Sequence, residues 1–170
     1  NSLDMISIGI LGIMYLALFI RLKEENKSLI SISLPFAFIG IAAFIVPRSI
    51  LLSLNQLTQQ YMGATSEVLK NQIITSGQTI SVLAIPTFQT VGFFILSIAS
   101  LLISIVILKT KLIPKLAGYI GIAGFLLTLI DDIFVILAPE LATLFMVIGG
   151  CFWIIWWVMI GVNLLKIKVE

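Results

Sequence analysis

The stretch LAGYIGIAGFLLTLIDDIFVIL, residues 116–137, decides the fold class. It is apolar over almost its whole length, and an α-helix needs about 20 such residues to cross the roughly 30 Å hydrocarbon core of a bilayer. Comparable runs recur along the chain, so we predict an all-α membrane protein, a bundle of about five transmembrane helices. The predicted spans are about 3–20, 28–47, 87–108, 116–137 and 141–165.

The composition narrows the function classes. Hydrophobic residues make up 60% of the 170 residues and charged residues only 11%, whereas a soluble domain has roughly 25% charged residues. The formal net charge is +2 and histidine is absent, which excludes a nucleic-acid footprint, a histidine general base and histidine-ligated metal or haem. The sequence offers one cysteine, Cys151, and no nucleophile with a basic partner nearby, so we predict no metal, no cofactor and no enzymatic activity.

The distribution of Lys and Arg predicts the orientation. Basic residues in short loops favour the cytoplasmic side. One side of the predicted topology holds eight of the ten basic residues: Arg21, Lys23, Lys27, Lys109, Lys111, Lys115, Lys166 and Lys168. We therefore expect a multi-pass protein of the cell membrane with its C-terminus in the cytoplasm and the Asn1 end outside. A further helix before Asn1 would leave this orientation unchanged.

The one long connection, at about 48–86, lies on the outer side. We predict surface helices over about 48–77, because apolar residues there recur at steps of three and four. Pro47 suits the first position of that helix, and Pro86 suits the start of the third span. The expected arrangement is a helical hairpin or cap that lies on the outer membrane surface.

Two stretches, RSILLSLNQLTQQYMGATSEVLKNQIITSGQTI at 48–80 and PTFQTVGFFILSIASLLISIVILKTKLIPKLAGYIGIAG at 86–124, resemble a family of small bacterial and archaeal membrane proteins, domain of unknown function 4386. The resemblance covers about 15–165. Positions that match the recurring pattern are Arg48, Gln60, Tyr61, Ala64, Thr65, Gly77 and Thr87. The resemblance implies a multi-pass topology with one further hydrophobic segment at the N-terminus, and it assigns no activity.

Asp131 and Asp132 are the candidate polar site within the fourth span. They follow Lys115 by about 24 Å of helix, toward the outer surface, and adjacent helical residues point roughly 100° apart, so at most one faces a given pocket. Arg48 is the predicted partner, with Gln78 and Gln89 extending the cluster. It is either an outer pocket for a cationic or zwitterionic ligand, or a proton-coupled site, or a structural pair that fastens the cap. We favour the structural pair.

Trp153, Trp156 and Trp157 form a second cluster, near the middle of the last span. Their spacing of three and four places Trp153 on one stripe with the other two. This stripe is either a wall for an apolar ligand such as a quinone, carotenoid or acyl chain, or a packing face for a neighbouring helix or partner subunit. We favour packing.

Together these features predict an accessory, scaffolding or interaction subunit that forms homo- or hetero-oligomers through helix contacts in the lipid bilayer. Glycines at 118, 121 and 124 support such contacts, because small residues let helices approach closely. The alternative is a small-molecule binding protein or transporter that uses the outer pocket around Arg48 and Asp131/Asp132. No nucleic-acid partner is expected.

Overall fold

The computed structural model describes residues 2–166, together with their side chains except at positions 2–5, 48, 83–86, 89, 136 and 139. The described residues are helical and hold no strand. The helices are α1 (Ser2–Leu22), α2 (Lys27–Gly63), α3 (Glu67–Ile107), α4 (Lys115–Leu137) and α5 (Pro139–Lys166). The predicted all-α class is confirmed.

Four stretches of the described residues are long and apolar enough to cross a membrane, judged by length and composition. They are Lys27–Gly63, Thr90–Ile107, Lys115–Val135 and Glu140–Lys166. The predicted first span lies in α1, whose described apolar part is Ile6–Leu22. The length and apolar composition of these helices are those of a multi-pass membrane protein.

The second and third spans continue far beyond their predicted ends. α2 has 37 residues and passes through Pro47, and α3 has 41 residues and passes through position 86, so the predicted boundaries at the two prolines are absent. A proline removes one helical hydrogen bond, and a helix tolerates this where a neighbouring helix packs alongside. α2 and α3 do pack against each other. The predicted surface helices at 48–77 are thus the distal parts of these two continuous helices.

A tight turn joins the distal ends of α2 and α3. Ser66 caps α3, since its side chain accepts a hydrogen bond from the Leu69 N–H at 3.1 Å. Glu67 lies in the first turn of α3, where negative charge favours the helix dipole, and is 3.6 Å from Lys70. We call residues 48–86 the outer hairpin. It is formed by continuations of α2 and α3, whereas the prediction placed separate surface helices there.

At the opposite end, the α1–α2 and α3–α4 connections lie side by side. Thr110 Oγ1 donates a hydrogen bond to Glu25 Oε1 at 3.0 Å and accepts one from the Leu112 N–H at 3.0 Å. Lys27 and Lys115 begin α2 and α4 at this end, opposite Lys70 in the outer hairpin.

The core takes buried residues from all five helices, including Ile30, Ala37 and Ile41 of α2. Tyr15 of α1 is hydrogen-bonded to Ser100 of α3, and both are buried. Ser100 Oγ itself donates to the Leu96 carbonyl at 2.8 Å, so the Tyr15 hydroxyl is the donor in the first bond. Phe125 and Trp156 fill the space between α4 and α5, with ring centroids 5.0 Å apart.

Candidate functional site: two aspartates facing two cavities

Asp132 lies at the wall of a cavity of about 590 Å³ between α3 and α4. Its Oδ2 atom is buried and has no hydrogen-bond partner among the described residues. The rest of the lining is apolar apart from one hydroxyl: Thr90, Val91, Phe94, Ile95, Ile133 and Leu137. A carboxylate oxygen in such surroundings attracts a hydrogen-bond donor or a cation.

Asp131 faces a different and much smaller space. It is only 8% exposed and lines a cavity of about 90 Å³ between α3, α4 and α5. Thr128 lines the same cavity, and its hydroxyl donates to the Gly124 carbonyl at 3.1 Å. The two carboxylates therefore sit on different sides of α4, as expected for neighbours that point roughly 100° apart on a helix.

The predicted partners of the aspartates are placed as follows. The side chains of Arg48 and Gln89 lie outside the described residues, so the Arg48 pair stays a prediction. Gln78 is exposed and lines a groove within the outer hairpin. It precedes Thr90 by about 18 Å of helix, and the structure does not bring it to either aspartate cavity.

The outer positions that resemble the family pattern gather at the tip of the outer hairpin. Gln60 and Tyr61 lie in the last turn of α2, followed by Ala64 and Thr65 in the turn. The Ala64 N–H donates to the Tyr61 carbonyl at 3.2 Å, which closes the helix. Lys70 Nζ lies 5.8 Å from the centre of the Tyr61 ring, within cation–π range.

The three tryptophans lie in and beside the core. Trp156 is fully buried, Trp153 is 7% exposed and Trp157 is half-buried. Trp153 is 5.3 Å from both Phe93 and Phe125 between ring centroids, so the aromatic rings connect α3, α4 and α5. Trp153 also lines the small Asp131 cavity.

The sequence pattern called "Domain of unknown function (DUF4386)" matches residues 2–161. The chain belongs to the DUF4386 family. No curated protein and no solved structure matches the chain. The DUF4386 assignment confirms the predicted family and carries no activity, so function is argued from geometry.

Sequence reasoning about this DUF4386 protein missed a row of buried serines on α3. Ser97, Ser100 and Ser104 are fully buried, and Oγ of Ser97 and Oγ of Ser104 have no hydrogen-bond partner among the described residues. Their spacing of three and four is the available signal, since it places all three on one helix face. Sequence reasoning also missed Thr90 and Phe94, which form the α3 wall opposite Asp132.

The described residues of this DUF4386 chain contain no group of three or more His, Cys, Asp or Glu side chains that could hold a metal. The described residues around Asp132 form a mostly apolar wall with one ionisable group, a composition that small-molecule sites often have. Ionisable residues at membrane depth are rare and mark function or pairing.

Proposed function

We propose that the protein is an interaction subunit of the cell membrane that associates with a second copy of itself through the outer hairpin. The observation that carries this proposal is the length of α2 and α3, which exceeds the thickness of a bilayer core, together with exposed apolar residues near their distal ends. The outer hairpin is the region where one chain leaves apolar surface without lipid or protein to cover it.

The lengths of α2 and α3 support this placement. Their 37 and 41 residues correspond to about 56 and 62 Å of helix, against about 30 Å of hydrocarbon. Even a tilt of about 40°, the upper end of the range for membrane helices, would leave both too long to be contained. Since both helices exceed that length, part of each is expected to project from the membrane.

The surface of the outer hairpin is suited to a helical partner. A groove of about 440 Å³ runs between its helices, walled by Leu54, Leu57, Ile73 and Ile74. Near the tip, Met62 is 73% exposed and Val68 is 70% exposed. Two helices that pack only against each other leave apolar residues exposed on their outer faces. Two such hairpins can bury these residues by packing together as a four-helix bundle.

Charge favours a second copy as the occupant. The outer hairpin contains Arg48, Glu67 and Lys70 as its charged residues, and Glu67 lies 3.6 Å from Lys70. Such a nearly neutral surface does not repel its own copy. A two-fold axis then pairs the same patch on both subunits, the commonest form of soluble oligomer.

The charge distribution supports an external outer hairpin and a cytoplasmic C-terminus. Lys27, Lys115 and Lys166 lie at helix ends opposite the hairpin, and the positive-inside rule assigns that end to the cytoplasm.

One cysteine substitution tests both the pairing and the orientation. In a Cys151→Ala background, Met62→Cys is expected to form a disulfide-linked dimer and to react with an impermeant maleimide in intact cells. Glu24→Cys, at the opposite end, is the matched control and is expected to do neither. A monomer in lipid nanodiscs without any cross-link would contradict self-association, as would cross-linking only to a different protein.

A second candidate function is supported by Asp132. We propose that this protein binds a small molecule in the 590 Å³ cavity beside Asp132, whose Oδ2 atom lacks a hydrogen-bond partner within the described part of the chain. Its volume falls in the range of about 300–1,000 Å³ that is usual for ligand sites.

A further inference from the structure

We infer that the Asp132 cavity binds a lipophilic cation, an apolar molecule with one positively charged centre that enters from the lipid. This inference rests on the second candidate function and adds the class of ligand. The carboxylate, the apolar wall and the position of the cavity each restrict the ligand in a different way.

The carboxylate determines the charge of the ligand. Asp132 Oδ2 is buried without a hydrogen-bond partner among the described residues, and the described lining of its cavity contains no other ionisable side chain. A carboxylate in an apolar site at membrane depth is costly unless a positive charge or several donors offset it. An anionic ligand would add to that cost, whereas a cation would reduce it.

The wall determines the body of the ligand. Val91, Phe94 and Ile95 of α3 face Ile133 and Leu137 of α4 across the cavity. These side chains offer dispersion contacts and no hydrogen bonds. The Phe94 ring adds an aromatic face suited to a quaternary or protonated centre. A small hydrated cation would lose its water shell here and gain a single carboxylate.

The exposure of the lining residues determines the route of entry. Leu137 is 73% exposed, Ile133 54% and Val91 44%. Val91 and Ile133 lie within stretches apolar enough to span the membrane, so we infer that this side of the cavity faces lipid. A lipophilic cation that partitions into the bilayer reaches the cavity sideways between α3 and α4.

Asp131 provides the matched control. It is the adjacent residue with the same charge, but it faces the separate cavity of about 90 Å³. A contact with ligand in the larger cavity requires Asp132, whereas a general effect of negative charge would depend on both residues.

The test uses tetraphenylphosphonium as the probe and triphenylphosphine as a neutral probe of related shape. Equilibrium dialysis against protein in nanodiscs, with empty nanodiscs as the blank, measures binding. We expect Asp132→Asn to weaken tetraphenylphosphonium binding by roughly tenfold or more, since one partner of a buried charge pair is lost. Asp131→Asn is expected to leave it within about twofold. Val91→Phe keeps the carboxylate and narrows the cavity, so it is expected to weaken the binding of both probes.

The remaining outcomes separate the ligand class from the existence of the site. Equal losses in Asp131→Asn and Asp132→Asn would overturn the inference. If triphenylphosphine binds in a Val91-dependent way and tetraphenylphosphonium does not bind, the cavity takes neutral molecules, and only the charge assignment is overturned. If neither probe binds above the blank, the inference and the second candidate function are both overturned. Val91→Phe carries the test if Asp132→Asn does not fold.

Discussion

The α4–α5 pair and the outer hairpin are both made of antiparallel helices, but they differ in how closely the helices approach. A Cβ added to Gly121 would collide with Ser104 Oγ and lie 2.5 Å from Trp156 Nε1, and one added to Gly124 would lie 2.6 Å from Phe152 Cβ. In the outer hairpin, a Cβ on Gly77 would meet Leu54 at an ordinary 3.7 Å. At these glycines the inner bundle is therefore packed more tightly than the outer hairpin.

This difference predicts that Trp156→Ala has the largest effect on folding. Trp156 is fully buried and contacts Phe125. We expect a loss of about 3 kcal/mol, near the lower end for large core truncations, because a membrane protein loses packing but little hydrophobic transfer energy. Calorimetric unfolding in nanodiscs measures it. Ile155→Ala, at a 47% exposed neighbouring position, is the control, and equal losses at both positions would remove the contrast between core and lipid face.

Gly121→Ala is expected to have the next largest effect on stability. The new methyl group would overlap Ser104 and Trp156, and overpacking of this kind costs about 1–3 kcal/mol. Gly161→Ala is the matched control on α5, because nothing lies within 4 Å of its added Cβ. The same calorimetric measurement is expected to show a lower Tm for the first variant and an unchanged or higher Tm for the second, since alanine favours helix over glycine. An unchanged Tm for Gly121→Ala would mean that the inner bundle is looser than the contacts imply.

The helices and the family were predictable because their signals are local. The length of the apolar run identifies the span that follows Lys115. The recurrence of apolar residues at steps of three and four identifies the helices of the outer hairpin. The continuity through Pro47 was not predictable, because it depends on α3 packing alongside α2. Similarly, the bond between Tyr15 and Ser100 joins residues 85 positions apart, and a single sequence does not show which distant polar groups meet.

Tyr15→Phe tests the hydrogen bond between Tyr15 and Ser100. Its expected effect on stability is smaller than that of Gly121→Ala. The Tyr15 hydroxyl donates to Ser100 in the core, and interhelical hydrogen bonds in membrane proteins contribute on average about 0.6 kcal/mol. We therefore expect a drop in Tm of a degree or two at most for that free energy. Tyr119→Phe is the control, because Tyr119 is 62% exposed. A larger loss at position 119 would show that the α1 contact does not hold the core together.

The candidate site was only partly predictable. That the two aspartates do not share one pocket follows from helix geometry, which needs no tertiary information. The cavity beside Asp132 depends on where α3 crosses α4, and this brings Thr90 and Phe94 opposite the carboxylate. No local pattern in the sequence connects these residues, whereas Gln78, predicted to extend the polar cluster, lies in the outer hairpin groove.

The last variant is expected to change stability least, and it tests whether two copies associate through the outer hairpin. Met62 and Val68 are 73% and 70% exposed, and a change at such a surface position usually alters the free energy of unfolding by no more than about 0.5 kcal/mol. The Met62→Ser, Val68→Ser double variant is therefore expected to keep the Tm of the wild-type protein. Energy transfer between labelled copies in nanodiscs is expected to fall, because apolar contact area between the hairpins is lost.

Asn55→Ala is the control for this last variant, since it changes an exposed polar residue of the same hairpin and is expected to leave both Tm and energy transfer unchanged. If the double variant lowers the Tm as much as Gly121→Ala does, then Met62 and Val68 are already buried in a folded monomer and the outer hairpin is complete by itself. If Tm and energy transfer both stay constant, the exposed tip is not where copies meet. Only loss of association at constant Tm fits a hairpin that folds within one chain and is completed by another.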